Sequence, residues 1–419
     1  MIKKILLLSL VASQLTISCS SEDSPETTPT TEQTLAEQIA EIVAKPYSTL
    51  PPSQQKVKLE AEANEMLVQL DKSKTSSAIE ALENLNRLLD ISSVDIFNGK
   101  NDNQAEDILN VSGVYGVYTW KNTDQKWEKT ASTTELKFVF PAKESQTTNN
   151  TTLSTKSVSS DIKIEIYDSY DWEADVDVND FVYLPTSSEA ILKIDEKEAA
   201  TFAQTAKYST KNESPDEFAF KMTTNDGYTW ETSGKKGVEN TAKATLTYNG
   251  KTLIDFNSGS NANIDGLIDN DELVQYRGKA NGLFKLMDNF VILADTDLAT
   301  AAADDTTLEN SVPYPVYNSE TYYSELSTYH KKIAEGKAAN FNKNMKLILV
   351  SKKDGTKIAD IVQHSVKEEN PWESLVDYYN PVYYLKFSDN TEVEMEAYFS
   401  EGFSTFETKF EDFIKAFEK

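Results

Sequence analysis

Tyr115-Gly116-Val117-Tyr118-Thr119-Trp120-Lys121-Asn122-Thr123-Asp124-Gln125-Lys126-Trp127 is where the apolar period of this chain changes from that of a helix to that of a strand. In an extended chain Tyr115, Val117 and Thr119 fall on one side and Tyr118 and Trp120 on the other. Asn122-Thr123-Asp124 is turn chemistry and Trp127 lies beyond it, so the stretch reads as a β-hairpin. A chain that is helical before this point and strand-rich after it belongs to the α+β class.

Upstream, Thr34 and Glu37 form a capping-box pair ahead of Leu35, Ile39 and Ile42, and Pro46 stops the run. Residues 53–71 carry Val57, Leu59, Ala63, Met66, Leu67 and Leu70 at helical spacing. Ser77 with Glu80 then caps a third run through Ile79, Leu82, Leu85, Leu88 and Leu89. Residues 34–97 therefore read as a helical segment.

Downstream, Leu136, Phe138 and Phe140 alternate, as do Ile162, Ile164 and Ile166, and short β-like runs follow at 190–194, 218–222, 228–231 and 242–248. Residues 98–299 read as an antiparallel β domain, either a sandwich or a curved sheet. The alanine-rich break at 299–305, with Pro313 and Pro315 behind it, is read as a domain boundary. In the C-terminal α+β part, 313–419, Ser319 opens a helix through Tyr322, Tyr323, Leu326, Tyr329 and Ile333. Runs at 345–350 and 357–362 flank Asp354-Gly355, a strong hairpin signal, and runs at 382–387 and 392–399 flank Ser388-Asp389-Asn390. Ser404 and Glu407 cap a terminal helix whose stripe is Phe406, Phe410, Phe413 and Phe417.

Hydrophobic residues at 39% and aromatics at 10% supply enough apolar material for a core. Lys and Arg number 41 against 68 Asp and Glu, and the formal charge of −27 repels phosphate backbones, so nucleic acid is excluded as a partner.

The chain begins with two lysines and an apolar run, and Ser9, Ser13 and Gln14 break that run too often for it to cross a bilayer. Residues 1–18 read as a secretory signal peptide. Cys19 follows, the only cysteine present, which cannot form an internal disulfide. Ser20-Ser21-Glu22-Asp23-Ser24 opens a stretch to Gln33 without large apolar residues, a disordered tether by composition. This arrangement resembles the lipobox and acidic export tag of Bacteroidetes-type surface lipoproteins. The resemblance implies that Cys19 carries acyl chains such as palmitate, and that the protein is lipid-anchored at the outer membrane and faces the cell exterior. Several chains together make such an anchor stable.

Asn261-Ala262-Asn263-Ile264-Asp265-Gly266-Leu267-Ile268-Asp269-Asn270-Asp271-Glu272 matches the spacing of a twelve-residue calcium loop. Its ligands would be Asn261, Asn263, Asp265, Asp269 and Glu272. The other reading is a polar turn between strands, favoured by asparagine at the first position and by the strand-like Leu253-Ile254-Asp255-Phe256 ahead of it. Asp175-Val176-Asp177-Val178-Asn179-Asp180 has no turn glycine and reads as a strand with one solvated face.

His330 and His364 alone cannot build a zinc site, and no nucleophile elbow, P-loop, dinucleotide fingerprint or zinc-protease motif is present. The aromatics Tyr118, Trp120 and Trp127 crowd one hairpin, either as a platform for stacking against sugar rings or as core filling. The expectation is a non-catalytic binding or structural protein at the cell surface, with a glycan or another surface protein as partner. The alternative is a secreted hydrolase, such as a glycosidase, working through two carboxylates.

Overall fold

The computed structural model describes residues 34–92, 94, 112–209, 214–269, 278–287, 289–368 and 375–400. The leader, Cys19, the tether, Glu272 and the terminal phenylalanine stripe lie outside the described residues.

The fold is α+β. Three helices, α1 (Leu35–Ala44), α2 (Pro52–Asp71) and α3 (Ser77–Ile91), precede the strands. Then come β1 (Gly116–Lys121), β2 (Lys126–Thr130), β3 (Leu136–Phe140), β4 (Thr151–Asp171), β5 (Val176–Ile194), β6 (Lys197–Lys207), β7 (Glu217–Thr224), β8 (Tyr228–Lys235), β9 (Asn240–Tyr248) and β10 (Lys251–Ser260). The short α4 (Ile264–Asp269) leads to β11 (Lys279–Leu286) and β12 (Phe290–Asp297), followed by α5 (Leu298–Ser311) and α6 (Tyr322–Asn344). The chain continues through β13 (Met345–Ser351), β14 (Thr356–Lys367), β15 (Tyr379–Lys386), β16 (Glu392–Glu394) and α7 (Met395–Ser400). Among the described residues, 16 strands form one sheet in the order β16 down to β3, then β1 and β2. Among these strands only β1 and β3 pair in parallel. Each strand otherwise turns back on its neighbour, as at Asn249-Gly250, where φ is +49° and +76°, the mirror-image turn that suits a twisted hairpin.

Residues opposite one another in register share a face. Ile292 and Leu349 pair, and their cluster receives Leu59 of α2; Leu293 and Ile348, one residue along, belong to the cluster that receives Ile39 and Ile42 of α1. The two helices therefore cover opposite faces. The link between them rounds the sheet beside β14, just beyond the end of β15. There Lys357 N–H donates to Pro46 O and Ser48 N–H donates to Lys357 O, both at 2.8 Å. Register carried from Leu286 through Ile254, Leu246, Trp230, Met222, Phe202, Ala190 and Thr155 to Leu136 stays on the α2 face. At that far end α3 closes it, setting Ala81, Leu85 and Leu88 against Phe138, Phe140, Leu153 and Leu192.

Side-chain caps form at α1 and α5, whereas α2, α3 and α6 begin without one. At α1 both halves of the Thr34–Glu37 capping box form. At α3 the N-cap is Ser76, one residue earlier than the motif places it, and the carboxylate of Glu80 binds Lys143. The α6 helix begins at Tyr322, behind Thr321 rather than Ser319. The run at 392–399 is a strand only to Glu394, because the good helix formers Met395, Glu396 and Ala397 turn the chain so that Tyr398 is buried, its hydroxyl donating to Pro52 O at 2.7 Å. The alanine-rich stretch at 299–305 lies inside α5, capped by Asp297 accepting from Thr300 N–H at 2.9 Å. The strands β12 and β13 on either side of the α5–α6 pair are adjacent in the sheet.

Among the described residues, the carboxylates that depart from ordinary titration move down. Hydrogen bonds from Lys207 and Lys235 hold Glu217 at about 2, and hydrogen bonds from Thr34, Thr300, Lys343, Lys58 and Thr391 lower Glu37, Asp297, Asp304, Asp354 and Asp389. Burial works to raise Glu392, but hydrogen bonds from His364 and Lys386 outweigh it. A group with a depressed folded-state value contributes stability that is present above its unfolded value and lost as pH falls through the folded one. The melting temperature is therefore expected to fall as pH drops from about 4.5 toward 2. A scan by circular dichroism at constant ionic strength checks this, and a melting temperature that rose on acidification would contradict it.

Candidate functional site

The β1–β2 hairpin forms in the expected register, with Trp120 opposite Trp127. Its aromatics belong to the core. Tyr118 is 3% exposed and stacks on Phe138 at 5.1 Å; Trp120 is 2% exposed and meets Trp127 edge-on at 5.3 Å. Trp127 is half-buried, packing edge-on against Phe138 and Phe140. Neither Tyr118 nor Trp120 presents a ring face on which a sugar could stack.

Three of the five candidate calcium ligands, Asn261, Asn263 and Asp265, accept hydrogen bonds from protein donors. Lys279 N–H donates to Asn261 Oδ1 at 2.6 Å, Gly266 N–H to Asn263 Oδ1 at 3.0 Å, and Lys236 Nζ to Asp265 Oδ1 at 2.7 Å. Asp265 and Asp269 lie in helix α4, whereas a calcium loop wraps the ion with non-helical backbone. Among the described residues no three His, Cys, Asp or Glu side chains gather as a metal-holding group.

A different set of aromatics is brought together at the surface. Five of the 20 tyrosines lie between positions 314 and 329. Pro313 and Pro315 keep the chain extended after α5, and α6 then carries the remaining three back along the sheet. Tyr314 meets Tyr329 at 5.1 Å, Tyr317 meets Tyr322 at 5.4 Å, and Tyr322 meets Tyr323 at 5.4 Å. The row continues from Tyr329 to His330 at 5.6 Å and from His330 to Tyr378 at 4.9 Å. Tyr314, Tyr317, Tyr323 and Tyr378 are exposed. The neighbouring Tyr314 hydroxyl pushes the Tyr322 phenol up to about 12, so it stays protonated and able to donate.

His330 and Tyr378 also line a cleft of about 540 Å³ between α5, α6 and the ends of β13 to β15. Its apolar wall is Ile333, Ala334, Phe341 and Met345, and its polar groups include Asp305, Lys337, Asn340, Gln363 and Glu368. The frame is held by paired hydrogen bonds. Asn342 donates to Gln363 O at 2.8 Å and accepts from Gln363 N–H at 2.7 Å, completing the bonding of β14 beside the start of β13. Asp304 accepts from Lys343 at 2.8 Å and Asn344 at 2.7 Å, and Asp305 accepts from Asn340 at 2.8 Å, which ties α5 to α6. Tyr378 is set in place from two sides: Asp377 N–H donates to Ser327 Oγ on α6, and Glu368 N–H donates to Tyr378 O, both at 2.9 Å.

Sequence reasoning placed Tyr322, Tyr323 and Tyr329 on a helix face but gave them no ligand role. Tyrosine density between 314 and 329 was the available signal. The contribution of Tyr378, almost 50 residues further on, depends on tertiary folding. No family model, curated protein or solved structure matches this chain.

Proposed function

We propose that this chain is a lipid-anchored, non-catalytic surface protein of the outer membrane that holds a carbohydrate chain in the tyrosine-walled cleft. The observation that carries the reading is the His330–Tyr378 contact, which joins an exposed row of phenol rings to a cleft lined in part by amides and carboxylates. The electron-rich faces of aromatic rings attract the weakly positive C–H groups on one side of a pyranose. Amide and carboxylate groups can both donate to and accept from its hydroxyls. Tyrosine offers this contact area with little rotamer freedom to lose. A glycosidase reading needs a general acid whose pKa is raised. Among the described residues, Glu217, Asp297, Asp304 and Asp354 are held the other way, toward lower values. A glycan array probed with the full chain is expected to return binders of one saccharide class without turnover. Hydrolysis of any bound polysaccharide, or an array without binders, would overturn the proposal.

A further inference from the structure

The strands β4 and β5 are far longer than the sheet they belong to. Only Thr151–Thr155 of β4 pair with β3, and only residues 187–194 of β5 pair with β6. Beyond those positions the two strands pair with each other alone, apart from a bridge between Ser112 and Tyr183. At roughly 3.3 Å per residue the arm extends about 40 Å. Its root is secured by Ile164 and Val182, which pack with the α3 core.

The outer part, residues 165–181, is different in kind. It contains seven Asp and Glu, no Lys, Arg or His, and four aromatic residues. Trp172 is 86% exposed, Tyr167 57%, Phe181 54% and Val176 51%, and the Lys163 ammonium, just before this stretch, sits 4.0 Å over the Phe181 ring. Tyr170 and Trp172 meet edge-on at 4.8 Å, and the Tyr170 hydroxyl donates to Asp175. A lone two-stranded hairpin is only marginally stable in water, so one with this much apolar surface uncovered gains from being covered.

We infer that the tip of this arm is a docking element for a positively charged polypeptide surface, with Trp172, Phe181 and Tyr167 as apolar anchors inside a ring of carboxylates. Charge selects the occupant. A second copy would bring another seven carboxylates against the first, and anionic lipid or nucleic acid would be repelled likewise. A basic partner neutralises the rim while its apolar side chains cover the rings, the usual division between anchoring core and charged rim at an interface. This element is independent of the saccharide cleft.

The test uses the full chain and a fluorescent peptide of alternating Lys and Val as probe, with a Glu and Val peptide as control, in anisotropy titrations at low and high salt. The double substitution W172A/F181A, which leaves charge unchanged, is expected to weaken binding of the cationic peptide at least fivefold. Neutralising Asp171, Glu173, Asp175 and Asp177 to their amides should flatten the salt dependence. Neutralising Glu196 and Glu198, in and beside the β5–β6 turn, should change neither. Hydrogen exchange with the unmodified chain should show protection of residues 165–181 when the cationic peptide is added. Equal weakening by the Glu196 and Glu198 variant would overturn the inference, as would no effect of W172A/F181A or no protection at the tip. So would a blue shift of Trp172 fluorescence on neutral phosphatidylcholine vesicles without peptide binding, which would assign the tip to lipid.

Discussion

Replacing Phe138 by alanine is expected to destabilise the protein by about 3–5 kcal/mol. Phe138 has no exposed surface. It is stacked on Tyr118, met edge-on by Trp127, and enclosed with the α3 leucines in the same cluster. Its removal deletes one of the largest buried side chains and leaves neighbours that cannot collapse inward, because β1 on one side and β4 on the other hold β3 in register. Urea unfolding followed by circular dichroism measures the effect. Tyr115, outside this core and exposed, provides the comparison, with a Tyr115→Ala change within about 0.5 kcal/mol of zero. Similar small losses at both positions would mean that the α3 face is not a packed core.

The second large effect is on binding. Tyr378→Ala should cost about tenfold in saccharide affinity, since one aromatic contact is worth on the order of 1–1.5 kcal/mol and 1.4 kcal/mol is a factor of ten. Tyr329→Ala should act similarly, and the double variant should lose less than the product of the two, because both rings touch His330 and are coupled through it. Tyr378 is exposed, so its variant should melt with the unmodified protein. Calorimetric titration against whichever saccharide the array identifies measures the loss. Undiminished affinity in Tyr378→Ala would remove the cleft from the binding account.

What could be read in advance divides along physical lines. Periodicity and capping are local, so the three leading helices, the β1–β2 hairpin and the Asp354-Gly355 turn were legible from side-chain spacing alone. The run beginning at Glu392 misled because alternation over a few residues resembles a strand while Met395, Glu396 and Ala397 favour a helix. The break at 299–305 has few large apolar residues, and its helix is set by the Asp297 cap and by packing on α6. Aromatic residues drew attention to Tyr118, Trp120 and Trp127, yet strand parity directs the first two inward, and no local pattern distinguishes an inward face from an outward one before the sheet's partner is known. The Asp-Val alternation at 175–180 was rightly a strand, but Val176 and Val178 are open to solvent because the arm has left the body of the sheet. That length mismatch between neighbouring strands depends on pairing and is invisible in either strand's own sequence.

The account depends most on the attachment of the folded body to a lipid surface through Cys19. Intact-mass analysis of the protein from its native membrane tests this directly. The expected product begins at Cys19 and carries the added mass of acyl chains, with Cys19→Ala shifting the protein to the aqueous fraction. A product that retains residues 1–18, or one that begins at Cys19 with a free thiol, would contradict it.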